Sequence, residues 1–122
     1  MRRIFIQIFT ALLLLSMAPA ANAHSTLISS LPKNGAELNV VPKFVSLKFN
    51  ERLLILADKN PNSISVLSPK GILISLGTPK VKGNTLSISL KTKKATGKFR
   101  VTYRVVSADG HPISGEYFFT VN

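Results

Sequence analysis

Apolar and polar residues alternate along five stretches of the chain between positions 45 and 121. A period of two is the pattern of a strand that buries one face, because successive side chains point to opposite sides of a sheet. The apolar positions of the five stretches are Val45, Leu47 and Phe49; Ile64 and Val66; Leu86, Ile88 and Leu90; Phe99, Val101, Tyr103 and Val105; and Tyr117, Phe119 and Val121. The last stretch also carries Phe118, which makes it apolar on both faces.

Turn-forming residues separate these stretches at intervals of about ten positions, which is typical of an all-β domain. Clusters rich in Pro, Gly, Asn and Asp occupy residues 32–35, 60–62, 68–71, 83–84 and 109–112. With two further strands expected at 26–31 and 72–76, the chain has about seven, the number in an immunoglobulin-like β-sandwich or a Greek-key barrel. Residues 53–57 are apolar without alternation, and we expect a short helical turn or an irregular loop there.

The amino-terminal residues have the layout of a secretory signal peptide. A basic start (Met-Arg-Arg) precedes the predominantly apolar residues 4–17, and the small residues 21–23 (Ala-Asn-Ala) suit a signal peptidase. An uncleaved membrane anchor is the alternative, but the apolar run is shorter than the roughly 20 residues that span a bilayer. We therefore predict a cleaved signal peptide, residues 1–23, and an exported domain, residues 24–122, that does not span a membrane.

Charge narrows the possible partners of this domain. The chain carries 16 Lys and Arg against 5 Asp and Glu, a formal net charge of +11. We do not expect nucleic acid as a partner, because the domain is exported and neither a basic helix nor a stripe of stacking aromatics accompanies the charge. Many of the lysines lie in the expected turns, so we interpret the charge as a source of solubility and of weak attraction to anionic membrane surfaces.

Sulfur is nearly absent from the sequence. There is no cysteine, and the two methionines, Met1 and Met17, both lie in the expected signal peptide. The fold must therefore be held by its apolar core without disulfides. Thioether and thiolate ligands are the ones that select Cu(I), so no ordinary Cu(I) site is expected in the exported domain.

The two histidines of the chain, His24 and His111, are the candidates for chemistry. Cleavage after residue 23 would make His24 the new amino terminus, where its amine and its ring nitrogen Nδ1 form one chelate. His111 follows Asp109 by two positions, and Gly110 between them allows the backbone to turn so that both side chains converge. Three nitrogens and one carboxylate oxygen are a donor set typical of Cu(II), so these residues are a candidate site for one Cu(II) ion.

The spacing of these residues does not by itself require a metal site. Asp-Gly is a common turn dipeptide, and Asp109 and His111 taken alone fit a surface turn beside an exposed histidine more simply. His24 could stand at the cleavage site by chance. What favours a metal site is the coincidence of both histidines, one at an expected terminus and one beside a carboxylate.

The carboxyl-terminal part of the sequence resembles the signature of the CopC copper-resistance proteins. The similarity covers residues 105–112 (Val-Val-Ser-Ala-Asp-Gly-His-Pro), the pair Ser114-Gly115 and the strand expected at 117–121. It extends to the start of the domain, where His24 precedes four residues typical of the family: Leu27, Pro32, Gly35 and Leu38. Residues 49–51 (Phe-Asn-Glu) resemble the family's Phe-Ser-Glu segment. The resemblance therefore spans essentially the whole exported domain.

This resemblance implies a cupredoxin-like Greek-key β-sandwich or barrel in the periplasm, with a function in copper homeostasis or resistance. The implied ligands of one Cu(II) ion are His24, Asp109 and His111, and Glu51 is implied to lie near the copper as an outer partner or a weak ligand. The implied protein partner is a membrane permease of the CopD type. The implied role is that of a buffer or carrier, not of an enzyme.

The sequence departs from the family pattern at three places. It has no methionines for the Cu(I) site that some members carry, Tyr103 stands where Trp is common, and Arg52 stands where Pro is frequent. Two other functions fit an exported sandwich. A metal-free immunoglobulin-like interaction domain would account for the fold but would leave both histidines to chance. A copper monooxygenase-like enzyme would need an open copper position, which Asp109 would fill.

Overall fold

The computed structural model describes residues 26–122, which form eight β-strands. The strands, numbered in chain order, are β1 (Leu27–Leu31), β2 (Glu37–Leu38), β3 (Phe44–Phe49), β4 (Ser63–Leu67), β5 (Ser75–Lys82), β6 (Thr85–Leu90), β7 (Gly97–Val106) and β8 (Pro112–Val121). This part of the chain contains no helix, and hence none long and apolar enough to cross a membrane. The expected signal peptide, residues 1–23, lies outside the described residues.

The strands form two four-stranded sheets that enclose one core. The first sheet has the order β1-β3-β6-β5 and the second the order β2-β8-β7-β4. Neighbouring strands are antiparallel, except that the short β2 runs parallel to β8. The predicted all-β sandwich is therefore confirmed, and it consists of two separate sheets instead of a closed barrel.

The core lies between the sheets and is built by the alternation seen in the sequence. Every apolar position of the five alternating stretches is buried, except Tyr103, which is half-buried. Phe49, Phe99 and Phe119 are completely buried, and the rings of the last two stack with their centroids 5.0 Å apart. Burying one large apolar side chain contributes about 1.5–3 kcal/mol, so this core is the main source of stability in a domain without disulfides.

Two elements differ from the sequence-based expectation. The strand expected at 72–76 is wrong in position, because residues 68–72 form a hydrogen-bonded turn and β5 begins only at Ser75. Of the apolar side chains that suggested the earlier strand, Ile74 alone enters the core. The strand β2 was not predicted, since two residues are too few to show a period of two.

Loops from both sheets gather at each end of the sandwich. One end, which we call the His111 end, contains Thr26 and residues 50–54, 83–84 and 107–111. Backbone hydrogen bonds join these segments: Asn50 to Thr26, Leu53 to Gly83, Leu54 to Val106 and Ala108 to Arg52. The opposite end, which we call the lysine end, consists of the β4–β5 turn (residues 68–73) and the β6–β7 loop (residues 91–96). The two sets of loops lie at opposite ends of the strands. The longest strands have ten residues, which at about 3.4 Å per residue span about 30 Å.

Candidate metal centre

The candidate site is built on the loop that joins β7 to β8. The amide of Gly110 donates to the carbonyl oxygen of Ser107 at 2.8 Å, and the amide of Ser107 donates to the carbonyl oxygen of His111 at 3.0 Å. Gly110 has a φ angle of +92°, in the left-handed region that a residue with a side chain adopts only with strain. The glycine therefore lets the chain reverse within residues 107–111.

This reversal brings Asp109 and His111 together. The carboxylate oxygen Oδ1 of Asp109 lies 3.0 Å from Nδ1 of His111 and 3.3 Å from the His111 amide nitrogen. The His111 and Asp109 side chains are 57% and 48% exposed, so a solvent-borne ion can reach them. The structure thus places two of the predicted site residues side by side on the surface.

Ser107 organises this pair from beneath, and it was not among the residues predicted from the sequence. It is completely buried, and its hydroxyl donates to Oδ1 of Asp109. The amide of His111 in turn points to the Ser107 hydroxyl oxygen at 3.3 Å. The sequence could have indicated this role, because Ser107 stands two positions before a carboxylate in a predicted turn. Serine side chains in turns often form hydrogen bonds with groups a few residues away.

The Asp109 carboxylate is held in its charged form. The hydrogen bond from the Ser107 hydroxyl, followed by that from the His111 side chain, lowers the pKa of Asp109 from 3.8 to about 2. Hydrogen bonds to a carboxylate favour its ionised state. Near neutral pH, therefore, Asp109 is an anionic oxygen donor next to an imidazole.

A neighbouring segment supports the loop from the side. Ala108 donates its amide to the carbonyl oxygen of Arg52 at 2.9 Å, and Leu54 donates to Val106 at 2.8 Å. The buried side chain of Asn62 links the same two segments: its Oδ1 accepts from the Val106 amide at 2.8 Å and its Nδ2 donates to the Leu54 carbonyl at 2.9 Å. Residues 53–57 accordingly form an irregular loop, the second of the two structures expected for them.

The first described residue lies at this same end. The Thr26 amide donates to Oδ1 of Asn50 at 2.5 Å, and the Asn50 amide donates to the Thr26 carbonyl at 3.0 Å. Glu51 follows Asn50 on the supporting segment and is half-buried. His24, the third predicted copper ligand, lies outside the described residues.

Residues 26–122 do not by themselves complete a metal site. No group of three or more His, Cys, Asp or Glu side chains in this range could hold an ion. Asp109 and His111 supply one oxygen and one nitrogen donor, whereas a tetragonal Cu(II) site takes four. The chemistry of this pair fits part of such a site, and a complete site would need two further donors from outside this pair.

Gly115 lies in close contact with its neighbour across the sheet. Gly115 on β8 pairs with Tyr103 on β7, and the Tyr103 ring lies across it. A Cβ atom at Gly115 would stand 2.3 Å from the Tyr103 hydroxyl oxygen, so a side chain there would require the Tyr103 ring to move. Tyr103 also packs edge-on against Phe49, with ring centroids 5.7 Å apart. Tyr103 is thus packed between β8 and the end of β3, next to the His111 end.

Comparison with known proteins assigns the family. The family model of the CopC domain matches residues 27–122. Copper resistance protein C of Pseudomonas syringae pv. tomato is 31% identical, over 98% of this chain and 96% of its own. The crystal structure of CopC from Methylosinus trichosporium OB3b is similar with a TM-score of 0.69 and 30% identity, covering 81% of this chain and 94% of that one. PcoC, a methionine-rich copper resistance protein from Escherichia coli, is similar with a TM-score of 0.65 and 26% identity, covering 82% and 100%. The chain therefore belongs to the CopC family.

Proposed function

We propose that this protein binds one Cu(II) ion at the His111 end and serves as a periplasmic copper buffer or carrier, without catalysing a reaction. The ligands are the amine and imidazole of His24, the carboxylate of Asp109 and the imidazole of His111. The observation that carries the proposal is the preorganised pair of Asp109 and His111 at the end where the described chain begins. Relatives named as copper resistance proteins support the choice of metal.

Chain length supports the participation of His24. Thr26 is tied to Asn50, which belongs to the same set of loops as Asp109 and His111. Two residues of extended chain span at most about 7 Å, so a histidine two positions before Thr26 stays within reach of this end of the sandwich. The proposal therefore places the amine and ring of His24 at the same end as Asp109 and His111.

The available donors support Cu(II) over Cu(I). Nitrogen and carboxylate oxygen ligands suit Cu(II), which also stands at the top of the affinity order for divalent metals at such sites. The related PcoC is described as methionine-rich, whereas both methionines of this chain, Met1 and Met17, precede the family domain. The domain therefore has no thioether or thiolate with which to select Cu(I).

The role of a carrier follows from the same ligand set. Asp109 would occupy a copper position that an oxygen-activating enzyme leaves open for its substrate. Glu51, half-buried on the supporting segment, would act near the copper as an outer partner or a weak ligand. A permease of the CopD type would receive the metal or supply it.

The proposal is tested on the secreted protein by adding one alanine in front of His24. The intact mass of the secreted form first establishes which residue is the amino terminus. A titration with Cu(II), followed by mass spectrometry and by a competing chelator, should then show one tightly bound ion in the natural form. The extended form should bind much more weakly, because its histidine amine has become an amide.

Three results would contradict the proposal. Equal affinity of the natural and extended forms would remove the amine chelate. A secreted protein that starts at another residue, or that shows no thermal shift with Cu(II), would favour a metal-free interaction domain, since a ligand at a hundred times its Kd stabilises by about 2.7 kcal/mol.

A further inference from the structure

The lysine end carries a second surface that the copper site does not use. Its two loops are held against each other by the sandwich: the Lys91 amide donates to the Ile74 carbonyl at 2.8 Å, and Gly97 lies so close to Pro69 that a Cβ there would stand 2.9 Å from it. Within the β4–β5 turn, the Gly71 amide donates to the Ser68 carbonyl at 2.8 Å. The two loops therefore form one defined surface.

Positive charge and exposed apolar side chains meet on this surface. Its four lysines are all exposed: Lys70, Lys91, Lys93 and Lys94. None of the four forms an ion pair within residues 26–122, and no acidic residue lines the hollow between the loops. On the arm that returns from the β4–β5 turn, just after its tip at residues 69–71, Ile72 and Leu73 are 58% and 52% exposed. Exposed aliphatic side chains beside unpaired lysines are the combination that anionic lipid surfaces bind.

We propose that the lysine end docks on membranes that contain anionic phospholipids. Ile72 and Leu73 enter the headgroup region, and the four lysines contact the lipid phosphates around them. The inference does not rest on copper binding, since no residue of the lysine end belongs to the proposed copper site.

The composition of the two loops favours a membrane over a macromolecular partner. The cores of protein–protein interfaces are enriched in Tyr, Trp and Arg and depleted in Lys, and residues 68–73 and 91–96 contain lysine but none of the other three. Binding of single-stranded nucleic acid uses exposed aromatic rings for stacking, which these loops also lack. Flexible lysines need no fixed partner geometry, and a fluid lipid surface offers none.

The test is sedimentation of the protein with vesicles of phosphatidylcholine, with and without phosphatidylglycerol, at low and high NaCl. Binding should require phosphatidylglycerol and weaken with salt. Vesicles of phosphatidylcholine alone are the control for binding through the apolar residues 4–17, because such binding would not require an anionic lipid. The triple variant Lys91→Gln, Lys93→Gln, Lys94→Gln should bind about a hundredfold more weakly, since each lysine near an anionic surface is worth a factor of about five.

Matched variants separate a docking surface from a general effect of charge. The control Lys48→Gln, Lys80→Gln, Lys82→Gln removes three exposed lysines from β3 and β5 and should retain most of the binding. Ile72→Ser should weaken binding several-fold, whereas Ile55→Ser, which alters a 64% exposed residue next to the His111 end, should not.

Equal losses in the two lysine triples, or binding that does not depend on phosphatidylglycerol, would overturn the proposal. So would the absence of binding to any vesicle, which would leave the surface to a protein partner. Thermal melts and Cu(II) titration of each variant show that the fold and the opposite end are intact.

Discussion

The two ends of the sandwich are made of the same kind of element, loops between antiparallel strands, but they are built differently. At the His111 end, buried polar side chains fix the loops. Ser107 is 0% exposed and bonds within its own loop, to Asp109, whereas Asn62 is 3% exposed and links two separate segments. At the lysine end the charged groups are exposed and make no ion pairs within the described chain. One end has polar groups fixed by hydrogen bonds, and the other has charged groups without such constraints.

This difference matches the demands of the two proposed ligands. A metal ion requires donors whose positions are set before it arrives, because ordering several side chains at once costs conformational entropy. Asp109 and His111 meet that demand, since their side chains already touch at 3.0 Å. A lipid surface presents many phosphates in changing positions, so unconstrained lysines are sufficient there. The His111 end is therefore preorganised for its proposed ligand, whereas the lysine end would act through the long-range attraction of its charges.

The largest expected effect that sharpens this contrast is the loss of a proposed copper ligand. His111→Ala should lower the affinity for Cu(II) by more than about a hundredfold, the upper limit of what outer-shell partners of a metal site usually cost. The measurement is a titration with Cu(II) against a competing chelator, on the secreted protein.

The matched control lies at the other end of the molecule. The triple variant Lys91→Gln, Lys93→Gln, Lys94→Gln removes three positive charges without touching the candidate ligands. Its Cu(II) affinity should change less than about threefold, because the two ends lie farther apart than the roughly 8–10 Å over which charges interact in physiological salt. If His111→Ala bound copper as tightly as the triple variant, the β7–β8 loop would not be the site.

The second expected effect concerns the support of the loops. Asn62→Ala leaves the Val106 amide and the Leu54 carbonyl without the partners they have in the folded protein. An unsatisfied buried group costs about 1–3 kcal/mol, so the free energy of unfolding should fall by about 2–4 kcal/mol. Denaturation with urea measures it.

Asn39→Ala is the control for this variant. Asn39 is exposed in the loop between β2 and β3, and its replacement should change stability by less than about 0.5 kcal/mol. A loss in Asn62→Ala no greater than in Asn39→Ala would show that the segment at 50–54 holds itself in place without the asparagine.

The sequence allowed the prediction of the sandwich because most strands bury one face. Fourteen of the fifteen alternating apolar positions are buried, with Tyr103 the half-buried exception. The prediction failed at β5, whose residues are mostly exposed, so that their hydrophobicity carries little information about the fold. Because Ile72 and Leu73 are apolar, the strand was expected to begin at residue 72, but both side chains are exposed and β5 begins at Ser75.

The site was predictable where its contacts are local in the chain. Asp109 and His111 are two residues apart with a glycine between them, and this spacing is enough to indicate convergence. Asn62 reaches Val106 across 44 positions, and a contact of that separation leaves no pattern in a single sequence. His24 lies outside the described residues, so its role stays a prediction.

The smallest expected effect tests whether the buried Ser107 hydroxyl preorganises the proposed copper ligands. Ser107→Ala removes the largest cause of the low Asp109 pKa, which should rise from about 2 toward 3.8. Because the folded value is depressed, the hydrogen bonds of Asp109 stabilise the loop fully above pH 3.8 and are lost as the pH falls toward 2. Carboxyl-carbon NMR of the copper-free protein should therefore show a higher titration midpoint in the variant.

The affinity for Cu(II) should also fall in Ser107→Ala, but by less than in His111→Ala. An outer partner of a metal ligand is worth about 10–100-fold in affinity, and we expect Ser107→Ala to lie near the lower limit because the carboxylate remains present. Ser114→Ala, an exposed serine on β8, is the matched control and should change neither quantity. A raised Asp109 pKa with unchanged copper affinity would mean that the metal itself orders the loop. The His111 end would then be no better preorganised for its ligand than the lysine end is for lipid.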